Sequence, residues 1–413
     1  MKRSYLNFVA ILGLAASVAT LSSCNQDECK DVDCPAGQAC VDGECIDLST
    51  GNEIISSNIS ENTTWTADKV YQLGGRITVL DGVTLTIEPG TIIKGEAGTG
   101  ANATALLIAR GGKLMAEGTA SLPIIFTSVA DEITPAQVAS GNFVSPNLGP
   151  EQNGLWGGVL IMGRAPISAA SNEVQIEGIP TTDPNGLYGG TDANDNSGVI
   201  KYISIRHGGT NIGAGNEING LTLGGVGAGT VIENVEVVAN QDDGIEWFGG
   251  TVSVTNAVVW NAGDDGLDTD QSWAGTVDNW VVITASDHCL ELDGPEGSME
   301  ATHTMINGTI IATSDDAQAN TLINLDANTG VNLTNIGIKN ISTGQIINRA
   351  ECTDITGGCP FSNVQIMLPT GMTLEDVFNG NTPPAGVSAV SSLTVGANEG
   401  VFGWTWAKQA GAF

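Results

Sequence analysis

Positive charge is scarce in this chain. Against 46 Asp and Glu it has only 14 Lys and Arg, a formal net charge of -32 over 413 residues. Such a surface repels phosphate backbones, which excludes nucleic acid as a partner. It remains compatible with divalent cations, saline surroundings or neutral sugars. Histidine is scarcer still: His207, His288 and His303 stand too far apart for a recognisable zinc spacing. Apolar runs are short, the longest reaching through residues 8–16, whereas a membrane-crossing helix needs about 20 apolar residues. Helical hydrophobic periodicity is missing as well. The apolar segments are brief, β-branched and broken by Gly, Asn and Asp.

What the chain has instead is a repeat. Between residues 231 and 293 one phrase is written three times: Asn234-Val235-Glu236 leads to Asp242-Asp243-Gly244-Ile245-Glu246, Asn256-Ala257-Val258 to Asp264-Asp265-Gly266-Leu267-Asp268, and Asn279-Trp280-Val281 to Asp287-His288-Cys289-Leu290-Glu291. The spacing is 22 residues, once 23. A fixed period in that range marks stacked supersecondary units. The Leu-x-x-Leu-x-Leu frame of leucine-rich repeats is absent, so the expected fold is all-β, a right-handed parallel β-helix.

Stacking gives the repeat chemistry, because equivalent residues of successive coils lie one above another at about 4.8 Å. Asp242, Asp264 and Asp287 form one expected column, and Glu246, Asp268 and Glu291 a second. Asp243 and Asp265 stand beside the first, with His288 in the third coil. One coil earlier, Asn219-Gly220-Leu221-Thr222 aligns with Asp243-Gly244-Ile245-Glu246 and is uncharged. Two readings stay open. The six carboxylates form a Ca²⁺ site, since hard oxygen ligands suit that ion; or Asp-Asp-Gly is turn chemistry, Asp capping its own backbone and Gly supplying positive φ.

At the N-terminus, a basic start (Lys2, Arg3) and the short apolar run precede Leu21-Ser22-Ser23-Cys24. This resembles the lipobox of bacterial lipoproteins, which implies that residues 1–23 are a signal peptide and that Cys24 is lipidated. The following Asn25-Gln26-Asp27-Glu28 resembles an acidic tag that sends lipoproteins to the outer face of the outer membrane. The expected location is therefore the outer membrane, anchored by lipid and facing the exterior. Residues 24–50 form a tether containing Cys29, Cys34, Cys40 and Cys45. Four Cys so close together in an exported chain read as two disulfides, with metal binding as the alternative. Among three possible pairings, resemblance to EGF-like knots implies Cys29 with Cys40 and Cys34 with Cys45. Further on, Cys352 and Cys359 are expected to staple a loop, leaving Cys289 buried and inert.

Alternating strands with Gly corners follow in residues 83–95 and 106–119, closed by Pro123-Ile124-Ile125-Phe126-Thr127. With Trp156-Gly157-Gly158, Tyr188-Gly189-Gly190 and Asp195-Asn196-Ser197-Gly198, this run resembles the pectate-lyase-like right-handed β-helix proteins, many of them exported bacterial proteins of unassigned activity. The resemblance covers about residues 65–345. It implies a carboxylate-held Ca²⁺ and a basic residue that abstracts the proton beside a sugar carboxylate; Arg206 and Lys201 are the nearest basic residues upstream of the Asp columns. An Arg paired structurally with an acid is the alternative, and the family's catalytic phrases are missing around Arg206.

Two segments, 130–155 and 171–194, lapse from the strand pattern. They read either as the walls of a binding face beside the acidic columns or as tolerated surface loops. Trp247 and Trp273, in Gly-flanked corners, are expected to contact a ligand, while Trp260 and Trp280 are expected in the core. The solenoid is placed at 51–345, and residues 346–413 are expected to cap its open end. Function divides three ways: a monomeric, surface-anchored binder of glycans without catalysis, a Ca²⁺-dependent polysaccharide lyase, or a structural stalk.

Overall fold

The computed structural model describes residues 38–41, 44–47, 51–212, 218–312, 321–349 and 358–413. Cys24, Cys29, Cys34 and Cys352 lie outside these residues. Cys40 and Cys45 are opposite each other in an antiparallel strand pair, and Cys359 is disulfide-bonded.

From residue 51 on, the chain alternates between two parallel sheets, one of fifteen strands and one of nine. Gly198–Arg206, Val231–Val238, Val254–Trp260, Thr276–Ile283, His303–Ile311 and Val331–Lys339 follow one another across the long sheet. The short sheet interleaves Leu221–Gly224, Ile245–Phe248, Leu267–Asp270, His288–Leu292 and Thr321–Leu325. Each of these coils gives one strand to each sheet, which is a parallel β-helix.

In the early coils the long sheet is built from two separate strands per coil. Lys113–Glu117 pairs with the first half of Gly198–Arg206 and Ile124–Ser128 with the second half. The two halves join at a bend on Tyr202, whose φ is 50°. Later coils put Asn at that bend: Asn234, Asn256, Asn279, Asn307, Asn335 and Asn363 all have φ between 56° and 62°. Asn tolerates this left-handed region better than other side-chain-bearing residues. Its amide also reaches the coil before it. Asn256 donates to Asn234 at 2.9 Å, Asn279 to Asn256 at 2.6 Å, and Asn363 to Asn335 at 2.7 Å. The repeated Asn of the sequence is therefore a hinge and a ladder at once.

Inward side chains alternate along both sheets and form one elongated apolar core. Trp280 lies inside it, against Gly308, where a Cβ would come within 2.0 Å of the indole. Several outward positions of the long sheet are apolar too, and these are covered. Ile133, Val138 and Phe143 of the first insertion pack on Val70, Ile92 and Ile125.

The C-terminal segment does more than the expected end cap: Val377 and Phe378 join the main core beside Phe361, and the later residues cover a flank. Phe361–Ile366 and Val387–Ala389 extend the long sheet. The chain then runs back along the flank of that sheet as a strap. Ala397 N–H donates to Thr309 Oγ at 2.8 Å, Asn398 N–H to Asn279 Oδ1 at 2.6 Å, and Ala407 N–H to Glu236 Oε1 at 2.8 Å. Phe402 covers Val258, Val281, Ile283 and Ile311. The physical reason is the apolar outer face: a solenoid with Val and Ile pointing outward on its flank must shield that flank as well as its end.

Candidate functional site

The outward positions of the short sheet carry charge from the strand Ile245–Phe248 onward. Register stacks Thr222, Glu246, Asp268, Glu291 and Asn324 in one column, as the repeat predicts. Asn219, Asp243 and Asp265 stand in the turn before their strands, and His288, at the equivalent place, opens its own. The carbonyls of Asp243, Asp265 and His288 accept the Gly220, Gly244 and Gly266 N–H groups in a ladder at 2.9 Å. Asp243 Oδ1 accepts the N–H of Asp265 at 2.9 Å, and Asp265 Oδ1 accepts that of His288 at 2.6 Å. The turn reading is corrected in both parts: Asp caps the backbone of the next coil and not its own, and Gly244 and Gly266 do not take positive φ but make room for Val259 and Val282, which a Cβ would meet at 2.4 and 2.5 Å. Asp242, Asp264 and Asp287 form the outer column: carboxylate oxygens of Asp242, Asp243 and Asp264 lie within 4.8 Å of one another, as do those of Asp264, Asp265 and Asp287.

A fourth acidic column, Asp270, Asp293 and Asp326, was not read from the sequence. Asp293 N–H donates to Thr269 O and Asp326 N–H to Leu292 O, which carries the stacking through three coils. The signal was present two residues beyond each member of the Glu246 column. It is hidden in the first repeat, where Phe248 takes the place.

Burial sets the electrostatics. Asp243, Glu246, Asp265 and Asp268 are 6%, 4%, 2% and 8% exposed. Burial first, and then the charges of neighbouring acids, hold Asp243, Glu246 and Asp268 well above the usual carboxylate range. The Asp265 carboxyl is pushed up to about 10, by burial and then by its contact with Glu291. Burial and the charge of Asp293 raise Asp270 to about 7.

Three buried oxygens on this face have no hydrogen-bond partner: Asp268 Oδ1, Asn219 Oδ1 and Thr222 Oγ1. Buried polar atoms are rarely left so. Asp243, Glu246 and Asp268 bring carboxylate oxygens within 4.8 Å of one another, and all these donors are hard oxygens of the kind Ca²⁺ takes. The residues present fit such an ion. Asp265, His288 and Glu291 form a neighbouring group of the same spacing.

Other expected site residues lie elsewhere. Arg206 and Lys201 belong to the long sheet, while the acids belong to the short one. Arg206 is fully buried. Its Nε donates to Ser204 Oγ at 2.7 Å, Glu236 lies 3.8 Å from its Nη2, and the Trp406 ring of the strap covers it at 5.0 Å. It fixes the strap and is closed to a substrate. Lys201 pairs with Glu233 at 3.1 Å. Trp247 and Trp273 are also corrected: they are buried, stacked on each other at 4.8 Å inside the core. Period-2 alternation requires this of Trp247, because its neighbour Glu246 points out. Trp260, expected inside, points outward and meets Trp406 edge-on at 5.9 Å. Among the described residues Tyr202, Trp260 and Phe413 are half-buried and the other aromatic side chains are buried.

The second insertion walls the early part of the same sheet. Ile176, Ile179 and Tyr188, with Ile167 just ahead of the insertion, pack on Leu107, Leu160, Met162 and Phe248. Glu177 accepts from the Asn219 amide at 3.4 Å, at the edge of the acidic columns. Among the described residues no helix is long and apolar enough to cross a membrane.

No curated protein and no solved structure matches this chain significantly. The family model of the pectate-lyase like beta helix domain matches residues 57–408, and the interleaved parallel sheets agree with it: the chain belongs to that family.

Proposed function

We propose that the protein is a surface-anchored, carbohydrate-binding β-helix whose acidic face holds a divalent cation, Ca²⁺ by its donor set, and that it acts by binding without catalysis. The family supports a carbohydrate-related role. The observation that carries the cation is Asp268 Oδ1, buried and unpartnered beside the carboxylates of Asp243 and Glu246. Asn219 and Thr222 offer further unpartnered oxygens, and Asp242, Asp264, Asp287 and Glu291 extend the negative surround. An ion there presents positive charge outward, and sugar hydroxyls or carboxylates complete its oxygen shell.

Binding is favoured over a lyase reading because a lyase needs a base within hydrogen-bond reach of its substrate. Arg206 is buried under Trp406 on the other sheet, and Lys201 pairs with Glu233. Lipidation at Cys24 would hold the β-helix to the outer membrane, facing outward. A glycan array read with Ca²⁺ and with EGTA tests the binding, alongside an absorbance assay for unsaturated sugar products. Calcium-dependent retention without products is expected. Products from the wild type would overturn the non-catalytic reading, their loss in Arg206→Ala or Lys201→Ala naming the base, and absence of any retention would leave a structural stalk.

A further inference from the structure

Positive charge is rare here, yet Arg76, Arg110 and Arg164 gather at one place. They belong to the early coils of the short sheet. Val79 pairs with Ile108, and Ile108 with Ile161, so Asp81, Arg110 and Arg164 follow the ends of three stacked strands. Between them opens a cleft of about 170 Å³ lined by Asp81, Ala109, Arg110, Arg164, Asn185 and Leu187, with Pro184. Arg76 is committed elsewhere: its Nε and Nη2 both reach Asp183 Oδ2, at 3.1 and 3.0 Å.

The other two guanidinium groups are only partly engaged. Arg110 contacts Glu173 at 2.8 Å and Gly189 O at 3.1 Å, both through Nη1. Arg164 contacts Asp81 at 3.1 Å and Arg110 O at 3.3 Å, both through Nη2. Their acidic partners are loosely held, since the Asp81 and Glu173 side chains are 71% and 52% exposed. Exposed pairs of this sort contribute little to stability. Glu173 is held below the usual carboxylate range by its bond to Arg110, with a further contribution from Arg164. One carboxylate of the chain thus already senses both arginines. Gly111 makes room for the arrangement, because a Cβ there would lie 2.0 Å from Asp81 Oδ1.

We infer that the Arg110 and Arg164 cleft is an oxyanion site, in which Glu173 stands in for an external carboxylate or sulfate group and yields to it. Planar guanidinium groups with a free terminal nitrogen suit such a ligand. The site involves no residue of the acidic columns, so its test is independent of the cation.

The experiment titrates the full mature chain in EGTA, at constant ionic strength held with chloride, against sodium sulfate and sodium acetate separately. Isothermal calorimetry and the Arg Nε–H NMR signals are both read. Saturable binding of one anion, shifting the Arg110 and Arg164 signals, is expected. Arg164→Gln weakens it at least about tenfold. Glu173→Gln, at an exposed position that leaves the fold intact, tightens it by about two- to fivefold. The arms decide the source: sulfate alone points to a sulfate ester, and acetate as well to a carboxylate. No saturable binding by either anion, or unchanged affinity in both variants, overturns the site and leaves the arginines as fasteners of the second insertion.

Discussion

Replacing Asp268 by Asn removes one of three carboxylates whose oxygens lie within 4.8 Å of one another, in a setting where Asp268 is 8% exposed. Two unit charges at that separation repel by about 3.5 kcal/mol at an effective dielectric of ~20. Protonation relieves part of this in the ion-free chain, since burial and the neighbouring acids hold all three groups above their ordinary range. Without the ion, Asp268→Asn is therefore expected to stabilise the folded chain, by about 1–3 kcal/mol near pH 7.5. With the ion the order reverses. Calcium at a hundred times its dissociation constant stabilises the wild type by about 2.7 kcal/mol, and the variant, short of one charged ligand, gains far less. Thermal and urea midpoints of both chains, in EGTA and in millimolar Ca²⁺, give the four values needed. A wild type indifferent to Ca²⁺, together with a variant less stable than wild type in EGTA, would show that Asp268 is a structural acid and the face no cation site.

Acidity gives a second test. Asp270 and Asp293 are raised by burial first, and then by Asp293 and by Glu291 respectively, to about 7 and about 6. Between pH 4 and 7 the folded chain therefore keeps protons that the unfolded chain has released, and stability in EGTA falls as pH rises, by at most about 1.4 kcal/mol per pH unit for each group. Asp270→Asn should flatten that slope, and an unchanged slope would contradict the assignment. In the Asn ladder, Asn256→Ala loses two hydrogen bonds and, at φ 61°, the short polar side chain that makes Asn tolerant of the left-handed region, a loss of about 2–4 kcal/mol. Asn256→Gly loses only the bonds and should be about 1 kcal/mol milder by urea midpoint; equal damage from both would remove backbone conformation from the explanation. On the flank, Glu236→Gln leaves Arg206 buried without its counter-charge, at about 3–5 kcal/mol. Hydrogen exchange should then show residues 397–410 opening before the coils, and uniform protection would refute the strap's dependence on that pair.

The sequence discloses whatever repeats in register and conceals whatever depends on the partner of a strand. The Glu246, Asp268 and Glu291 column was legible because the repeat length fixes the stacking, and the uncharged match at Thr222 falls in the same column. Position on the chain misled for Arg206. It precedes the Asp columns by some forty residues, yet each coil visits two sheets, and Arg206 ends a strand of the long one. Trp247 was misread from its Gly-rich surroundings when its immediate neighbour Glu246 already settled its direction by alternation. The repeated Asn was visible as a marker of period, but its left-handed backbone needed the structure. Nothing local in the final residues announces that they return along the flank, because the surface they cover is made by Val258, Val281, Ile283 and Ile311, each from a strand whose outward face only the assembled sheet defines.

The two flanks of the solenoid are treated differently. On the long sheet the outward Val and Ile side chains are covered by the first insertion and by the strap, and the buried Arg206 has Glu236 at 3.8 Å and a Trp ring over it, its Nη1 and Nη2 making no hydrogen bond. On the short sheet the second insertion covers the early coils as far as Phe248, and the following coils turn carboxylates outward in four columns. Had that face served stability alone, apolar residues under a second strap would be the cheaper solution, since buried acids of like charge oppose folding. Evolution of a fold tolerates such a conflict where a ligand resolves it. The unpartnered Asp268, Asn219 and Thr222 oxygens lie where the conflict is greatest, and this coincidence is what supports the cation site proposed on the short sheet.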